Sequence, residues 1–216
     1  MSDDRASRLP LYRSSLSGET LTLRDSRFVV VGPEDIPRRP AFRGDVVIAG
    51  LDNSREKEVI RAINEFYWDS TEQDIFGRTY DVFECENYLA VPRPDEPEAD
   101  NPDCNGIAGN VALKVEDEGF LHIVVFHIWP AWHGRGVGRA LLNKSIAEAR
   151  LNGLDTIKLG TTNDNLPALY FYQRAGFVID EVVVGEVEHV HGFEMCGFAG
   201  IPVRDEIRMR LDLNPG

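Results

Sequence analysis

Ile128-Trp-Pro-Ala-Trp-His133-Gly134-Arg135-Gly136-Val137-Gly138-Arg139-Ala-Leu-Leu142 is the stretch that decides the fold. An apolar run, Phe120–Trp129, reads as a strand, and Val137–Leu151 carries the apolar spacing of a helix. Between them lies a loop with three glycines. Glycine lets the backbone approach a ligand closely and leaves N–H groups free to point at it. Those groups, with the positive end of the helix dipole, form an anion site. Arg135 and Arg139 add formal charge beside it. Two familiar phosphate loops do not fit. The P-loop needs a Lys after its glycine, and none follows here. The dinucleotide fingerprint needs a third glycine that is missing whether the count starts at Gly134 or at Gly136. A plain flexible turn is the alternative; the strand–loop–helix setting and the two arginines argue against it.

A second segment reads Asn165-Leu-Pro-Ala168-Leu-Tyr-Phe171-Tyr172-Gln-Arg-Ala-Gly176-Phe177. Together the two resemble the GNAT superfamily of N-acetyltransferases. Its signatures are Gln/Arg-x-x-Gly-x-Gly/Ala between a strand and a helix, then Asn-x-x-Ala-x-x-Leu/Phe-Tyr-x-x-x-Gly-Phe. His133 departs from the usual Gln or Arg; the glycines match. The resemblance covers about 88–213 and is specific over Ile128–Phe177. It implies an α/β fold with a mixed, mainly antiparallel central sheet flanked by helices. The sheet would be splayed between the fourth core strand, Phe120–Trp129, and the fifth, Thr156–Thr161. It also implies acetyl-CoA as cosubstrate. The pyrophosphate would sit on His133, Gly134, Arg135, Gly136, Val137, Gly138 and Arg139. The pantetheine arm would pair with backbone near Phe126, His127 and Ile128, with Asn165 and Ala168 on the far side.

The implied reaction is acetyl transfer to a primary amine, and it needs three things. The amine must lose a proton, the thioester oxygen needs a donor, and the departing thiolate must be protonated. Tyr172 would serve the last as general acid; packing between helix and sheet is its bland alternative. Histone acetyltransferases of the superfamily carry a catalytic Glu on the fourth strand, and an ungapped count puts that position at His122. Strand alternation places His122, Val124, Phe126 and Ile128 on one side and His127 on the other. A bulge would shift the register and make His127 the candidate base. A core histidine with water as the base is the remaining reading. A non-catalytic acyl-CoA-binding regulatory module is the competing class, with His133 as its hint.

Outward from the motifs, Asp45–Leu51 and Tyr88–Val91 read as strands. A helix follows Asn53, with Glu56 completing a capping-box pattern. Gly106–Val115 pairs with Phe120–Trp129 through the turn Glu116–Gly119. Thr156–Thr161, Phe177–Val184 and Ile207–Leu213 are further strands, and Pro167–Ala175 a helix. The Pro/Asp/Glu-dense stretch 92–105 reads as exposed loop, and Gly185–Glu206 as a second long loop. Residues 1–43 form an N-terminal extension with short β-like runs at Thr20–Leu23 and Phe28–Val31; 44–216 form the N-acetyltransferase domain.

The chain has 216 residues, 43% of them hydrophobic, enough for a core. Its net charge is −13: residues 1–43 carry eight Lys/Arg and six Asp/Glu, the rest fifteen and thirty. An acidic chain repels phosphate backbones, so nucleic acid is not an expected partner. A cationic amine, small molecule or peptide, is a natural acceptor, though the charge also serves solubility. Glu65, Asp69, Glu72, Asp74, Glu186, Glu188, His189, His191 and Glu194 lie in the two segments that would face it. No apolar run is long enough to span a membrane and no leader is visible. Three scattered cysteines suggest a reducing cytoplasm. His189, His191 and Cys196 have no recognised ligand spacing, so no metal is expected. A homodimer is expected by family analogy alone.

Overall fold

The computed structural model describes residues 12–13, 20–24, 27–31, 40–50, 54–96, 99, 106–191 and 195–214. The chain divides into two units, Met1–Pro40 and Ala41–Gly216. In the first, β1 (Tyr12–Arg13), β2 (Thr20–Arg24) and β3 (Arg27–Val31) form an antiparallel sheet in that order, with Leu21 opposite Val30.

The second unit is built on one seven-stranded sheet. Its strands are β4 (Gly44–Ile48), β7 (Glu86–Pro92), β8 (Gly109–Val115), β9 (Leu121–Ile128), β10 (Thr156–Thr162), β11 (Val178–Val183) and β14 (Glu206–Asp212). Their order across the sheet is β11-β14-β10-β9-β8-β7-β4. Every pairing is antiparallel except β9 with β10, which is parallel. The expected mixed, mainly antiparallel sheet is therefore the observed one. The splay is visible in the register. β9 and β10 pair only over Leu121–Ile123 and Ile157–Leu159, and from there the two strands part.

Helix α1 (Ser54–Trp68) turns Val59, Ile60, Ile63 and Asn64 inward. Asn53, its expected cap, lies outside the described residues; the Glu56 carboxylate accepts the Gly50 N–H at 2.5 Å. Helix α2 (Val137–Leu151) buries Leu141, Leu142 and Ala149 in a cluster with Ile157, Leu159, Tyr172 and Met209. It stops at Asn152, with Gly153 at φ 69°. In α3 (Leu166–Arg174), Asn165 caps the first turn by accepting the Ala168 N–H at 3.3 Å. A second cluster gathers Val59 and Ile60 of α1 with Leu89, Ala112, Val124 and Val125. The sheet is thus covered on both faces. No helix among the described residues is long and apolar enough to cross a membrane.

Two expectations fail here, each for a non-local reason. Gly185–Glu206 is not simply loop. It holds α4 (Glu186–His191) and a small ribbon of β12 (Met195–Cys196) and β13 (Pro202–Val203). Side chains distant in sequence fix it: Asp164 accepts the Phe198 N–H at 3.0 Å, and Asn163 accepts those of Arg204 and Asp205 at 2.8 and 2.9 Å. The second is the facing of β9. Ala112 stands opposite Val125 and Leu113 opposite Ile123, so Val124 is an extra, bulged residue. His122 therefore does not share a face with Phe126 and Ile128. It lies with His127 on the α1 side. A hairpin absent from the sequence reading, β5 (Glu72–Ile75) and β6 (Arg78–Asp81), turns at Phe76 and Gly77, both at positive φ, and covers His122.

Strands β8 and β9 approach most closely at Gly109. A Cβ there would lie 2.4 Å from the His127 carbonyl oxygen and 3.1 Å from the Ile128 Cα, both backbone atoms. Gly109→Ala is expected to cost about 1–3 kcal/mol, the usual penalty for forcing atoms into a packed interior. Urea denaturation measures it; a variant as stable as the parent would contradict the close approach.

Candidate active site

The glycine loop ends β9 and begins α2, as the sequence suggests. Gly134 and Gly136 have φ of 74° and 95°, and a Cβ on either would meet nothing. They hold a backbone shape that other residues rarely adopt while leaving the surface above it open. Gly138 is needed for another reason: a Cβ there would press on Ile128 and Phe171 at 3.1–3.3 Å. The first intrahelical bond is Ala140 N–H to Gly136 O, 3.1 Å. The N–H groups of Val137, Gly138 and Arg139 thus have no acceptor inside the helix. Three such donors at a positive dipole end suit a pyrophosphate in chemistry and number. Arg139 is exposed and has no acidic partner among the described residues, so its charge is available to an anion.

Arg135 is different. Its guanidinium is buried, ion-paired with Glu96, and lies 4.2 Å over the Trp132 ring. The expectation that it adds charge beside the anion is corrected: its side chain points into the protein. Glu96 stands in the stretch read as exposed loop, yet it too is buried. His133 folds back, its Nε2 2.8 Å from the Ile128 carbonyl, and leaves the first turn of α2 uncovered.

The split itself is bounded by the parted strands. The Trp129 N–H donates to Ala108 O at 3.0 Å. Along an antiparallel strand successive residues turn their backbone groups to alternate sides. His127 therefore bonds toward β8, and Phe126 and Ile128 present theirs to the split. The Ile128 carbonyl is already taken, by the Tyr67 hydroxyl and His133. What remains toward the gap is the Ile128 N–H and both backbone groups of Phe126. Asn165, half-buried on the far side, uses its oxygen as the α3 cap and keeps its amide Nδ2. Ala168 packs against the core.

Tyr172 stands where the split meets α3. Its ring lies 5.8 Å from Phe126, 5.2 Å from Phe171 and 5.4 Å from Phe177. Its hydroxyl has no hydrogen-bond partner among the described residues. Burial raises its pKa above the ordinary phenol value, so it stays protonated.

Neither histidine reaches the split with its side chain. His122 is fully buried against Phe76, Tyr80 and Phe120, with Nδ1 3.3 Å from Glu116. Burial lowers its pKa, and Glu116 only partly offsets that. His127 stacks on Tyr67 at 4.7 Å and accepts the Trp68 indole N–H at 3.1 Å. Burial pushes its pKa down to about 3. Tyr67 recurs at the helical spacing of the apolar residues of α1, so nothing in the sequence marks it, or Trp68 beside it, as a site residue. Around them, Phe66 and Trp68 are exposed aromatics, and Glu65 and Asp69 are exposed acids. Among the described residues no cluster suited to a metal occurs.

Known proteins share this architecture. The acetyltransferase (GNAT) family matches residues 60–177. The uncharacterised protein YxbD of Bacillus subtilis (strain 168) is 27% identical over 161 residues, 73% of this chain and 93% of that protein. An uncharacterised N-acetyltransferase of Methanocaldococcus jannaschii is 36% identical over 83 residues, 38% of this chain and 34% of that protein. Among solved structures, an acetyltransferase of Bacillus subtilis in complex with CoA superposes with a TM-score of 0.55, at 22% identity, over 80% of this chain and 100% of that one. An IAA acetyltransferase from Bacillus cereus gives 0.58 at 18%, over 78% and 98%. The likeness to solved structures establishes the fold, and the family match spans more than half of the chain. This chain therefore belongs to the GNAT family of acetyltransferases.

Proposed function

We propose that the chain moves an acetyl group from acetyl-CoA to a primary amine that carries positive charge, with Tyr172 as the general acid. The observation that supports this most is the parting of β9 and β10 beside Tyr172. The thioester supplies an activated acyl group. The backbone N–H groups of Phe126 and Ile128 face the gap and suit the oxyanion that forms as the amine attacks. Tyr172 then gives its proton to the departing thiolate as the C–S bond breaks and regains one from solvent; its raised pKa keeps the phenol protonated beforehand. The amine loses its proton to water. With a pKa near 3, His127 is too weak a base to hold it, and His122 lies beneath the β5–β6 hairpin. His133, on which a non-catalytic reading rests, binds Ile128 and does not block the loop. The exposed Glu65 and Asp69 near Trp68, with the net charge of −13, favour a cationic acceptor.

Tyr172→Phe is expected to lower kcat by about 10²–10⁴ with CoA affinity unchanged. Unaltered turnover would mean that solvent protonates the thiolate. The wild-type kcat/KM profile should show no histidine limb between about pH 5.5 and 7.5, a unit either side of the reference value. Burial lowers both histidine pKa values, and at about 3 the His127 ring is already neutral there. A limb in that window that His122→Ala removes would restore His122 as the base. With a panel of amines, kcat/KM for the best acceptor should fall as salt rises. A best acceptor that is neutral or anionic and insensitive to salt would end the cationic assignment.

A further inference from the structure

Glu96 is a buried acid placed behind an anion-binding loop, which is unfavourable unless something neutralises it. One carboxylate oxygen pairs with Arg135 Nη2; the other accepts from Arg43 Nε at 2.8 Å. Burial alone would raise the Glu96 pKa; Arg43 and Arg135 outweigh it and hold the carboxylate below its usual range. Arg43 also reaches Asp95 at 2.9 Å. Arg135 is held a second time through its backbone, whose carbonyl accepts the Phe42 N–H at 2.6 Å. Phe42 in turn meets the Trp132 ring edge-on at 5.9 Å, the same ring on which the Arg135 guanidinium lies. Arg135 thus sits between Gly134 and Gly136, the two loop residues with no side chain to fix them, and is pinned by side chain and main chain alike.

We infer that Glu96 is a positioning residue for coenzyme A: through Arg135 it presets the backbone of residues 134–138, with Arg43 as its second arm. This rests on the reading of the loop at 133–139 as the pyrophosphate site. Glycine-rich loops lose much conformational entropy on ordering. A loop already fixed by a buried anchor binds its anion without that loss. The arrangement also accounts for an arginine that lies in the loop but does not face the ligand. Its charge is matched internally by Glu96, and the matched pair serves as an anchor.

Calorimetric titration with CoA, and with 3′-phosphoadenosine 5′-diphosphate, the half lacking the pantetheine arm, tests the inference. Glu96→Gln is expected to weaken both ligands about tenfold, a coupling of ordinary size for one buried network. In an Arg135→Met background, which keeps contact with Trp132 but removes the charge, Glu96→Gln should change affinity no further. A merely structural Glu96 would add its loss in either background. Gly136→Asp serves as the control for the loop: it should abolish binding of both ligands. If Gly136→Asp binds CoA like the parent, the pyrophosphate assignment fails. If it loses CoA while Glu96→Gln keeps the parent affinity, the loop stands and the anchor is overturned. A loss with CoA but not with 3′-phosphoadenosine 5′-diphosphate would also overturn it. Should Glu96→Gln not fold, Arg43→Gln decides, since that half-exposed side chain can go while the Glu96–Arg135 pair stays. An affinity about threefold weaker is then expected, and an unchanged one overturns the proposal.

Discussion

The parting of β9 from β10 after three residue pairs is the constraint on which the rest of this structure depends. A sheet interrupted in its middle exposes two inner edges whose N–H and C=O groups must find partners. The protein meets part of that demand itself. Tyr67 and His133 take the Ile128 carbonyl. Among the described residues the backbone of Phe126 and the Ile128 N–H are left, and these suit an extended ligand bearing amides, which would pair as an added strand. The pantetheine arm has that chemistry.

The bulge at Val124 belongs to the same constraint. It lets Val124 and Val125 both join the cluster beneath α1, and it reverses the facing of everything that follows. Phe126 and Ile128 turn toward α2 and α3, where Phe171 and Tyr172 meet them. His127 turns under Tyr67 and Trp68. Without the bulge the aromatic side of β9 would face α1, and Tyr172 would have no Phe126 to pack on. The two histidines are consequences of this geometry: each occupies the sheet face away from Tyr172, and burial lowers the pKa of each.

What could be read in the sequence is what is local in it. Gly134, Gly136 and Gly138 sit between an apolar strand and an apolar-striped helix, and that local setting is enough to mark the loop. The end of the helix before Gly176 is local in the same way. What could not be read depends on partners far along the chain. The side chain of Arg135 is oriented by Glu96, 39 residues earlier, in a stretch whose prolines and acids read as surface. The β12–β13 ribbon is held by Asn163 and Asp164. The bulge leaves no mark in composition, because Ile123, Val124 and Val125 are interchangeable to any periodicity count. Tyr67 and Trp68 fit a helix stripe whether they face core or site.

An electrostatic difficulty runs through the whole: a chain of net charge −13 must hold a polyanion. Distance resolves most of it. At physiological salt a charge is screened over about 8 Å, so the acids of α1 and of the β5–β6 hairpin act chiefly on what enters near Trp68. At the loop only near groups count, and the nearest acid, Glu96, is matched by Arg43 and Arg135. Among the described residues the proposed anion site is then left with uncharged donors, the N–H groups of Val137, Gly138 and Arg139, the helix dipole, and the exposed Arg139 side chain. Such a site attracts phosphate through direction rather than through excess charge. It can therefore coexist with an acidic surface a short way off, which suits the proposed cationic acceptor.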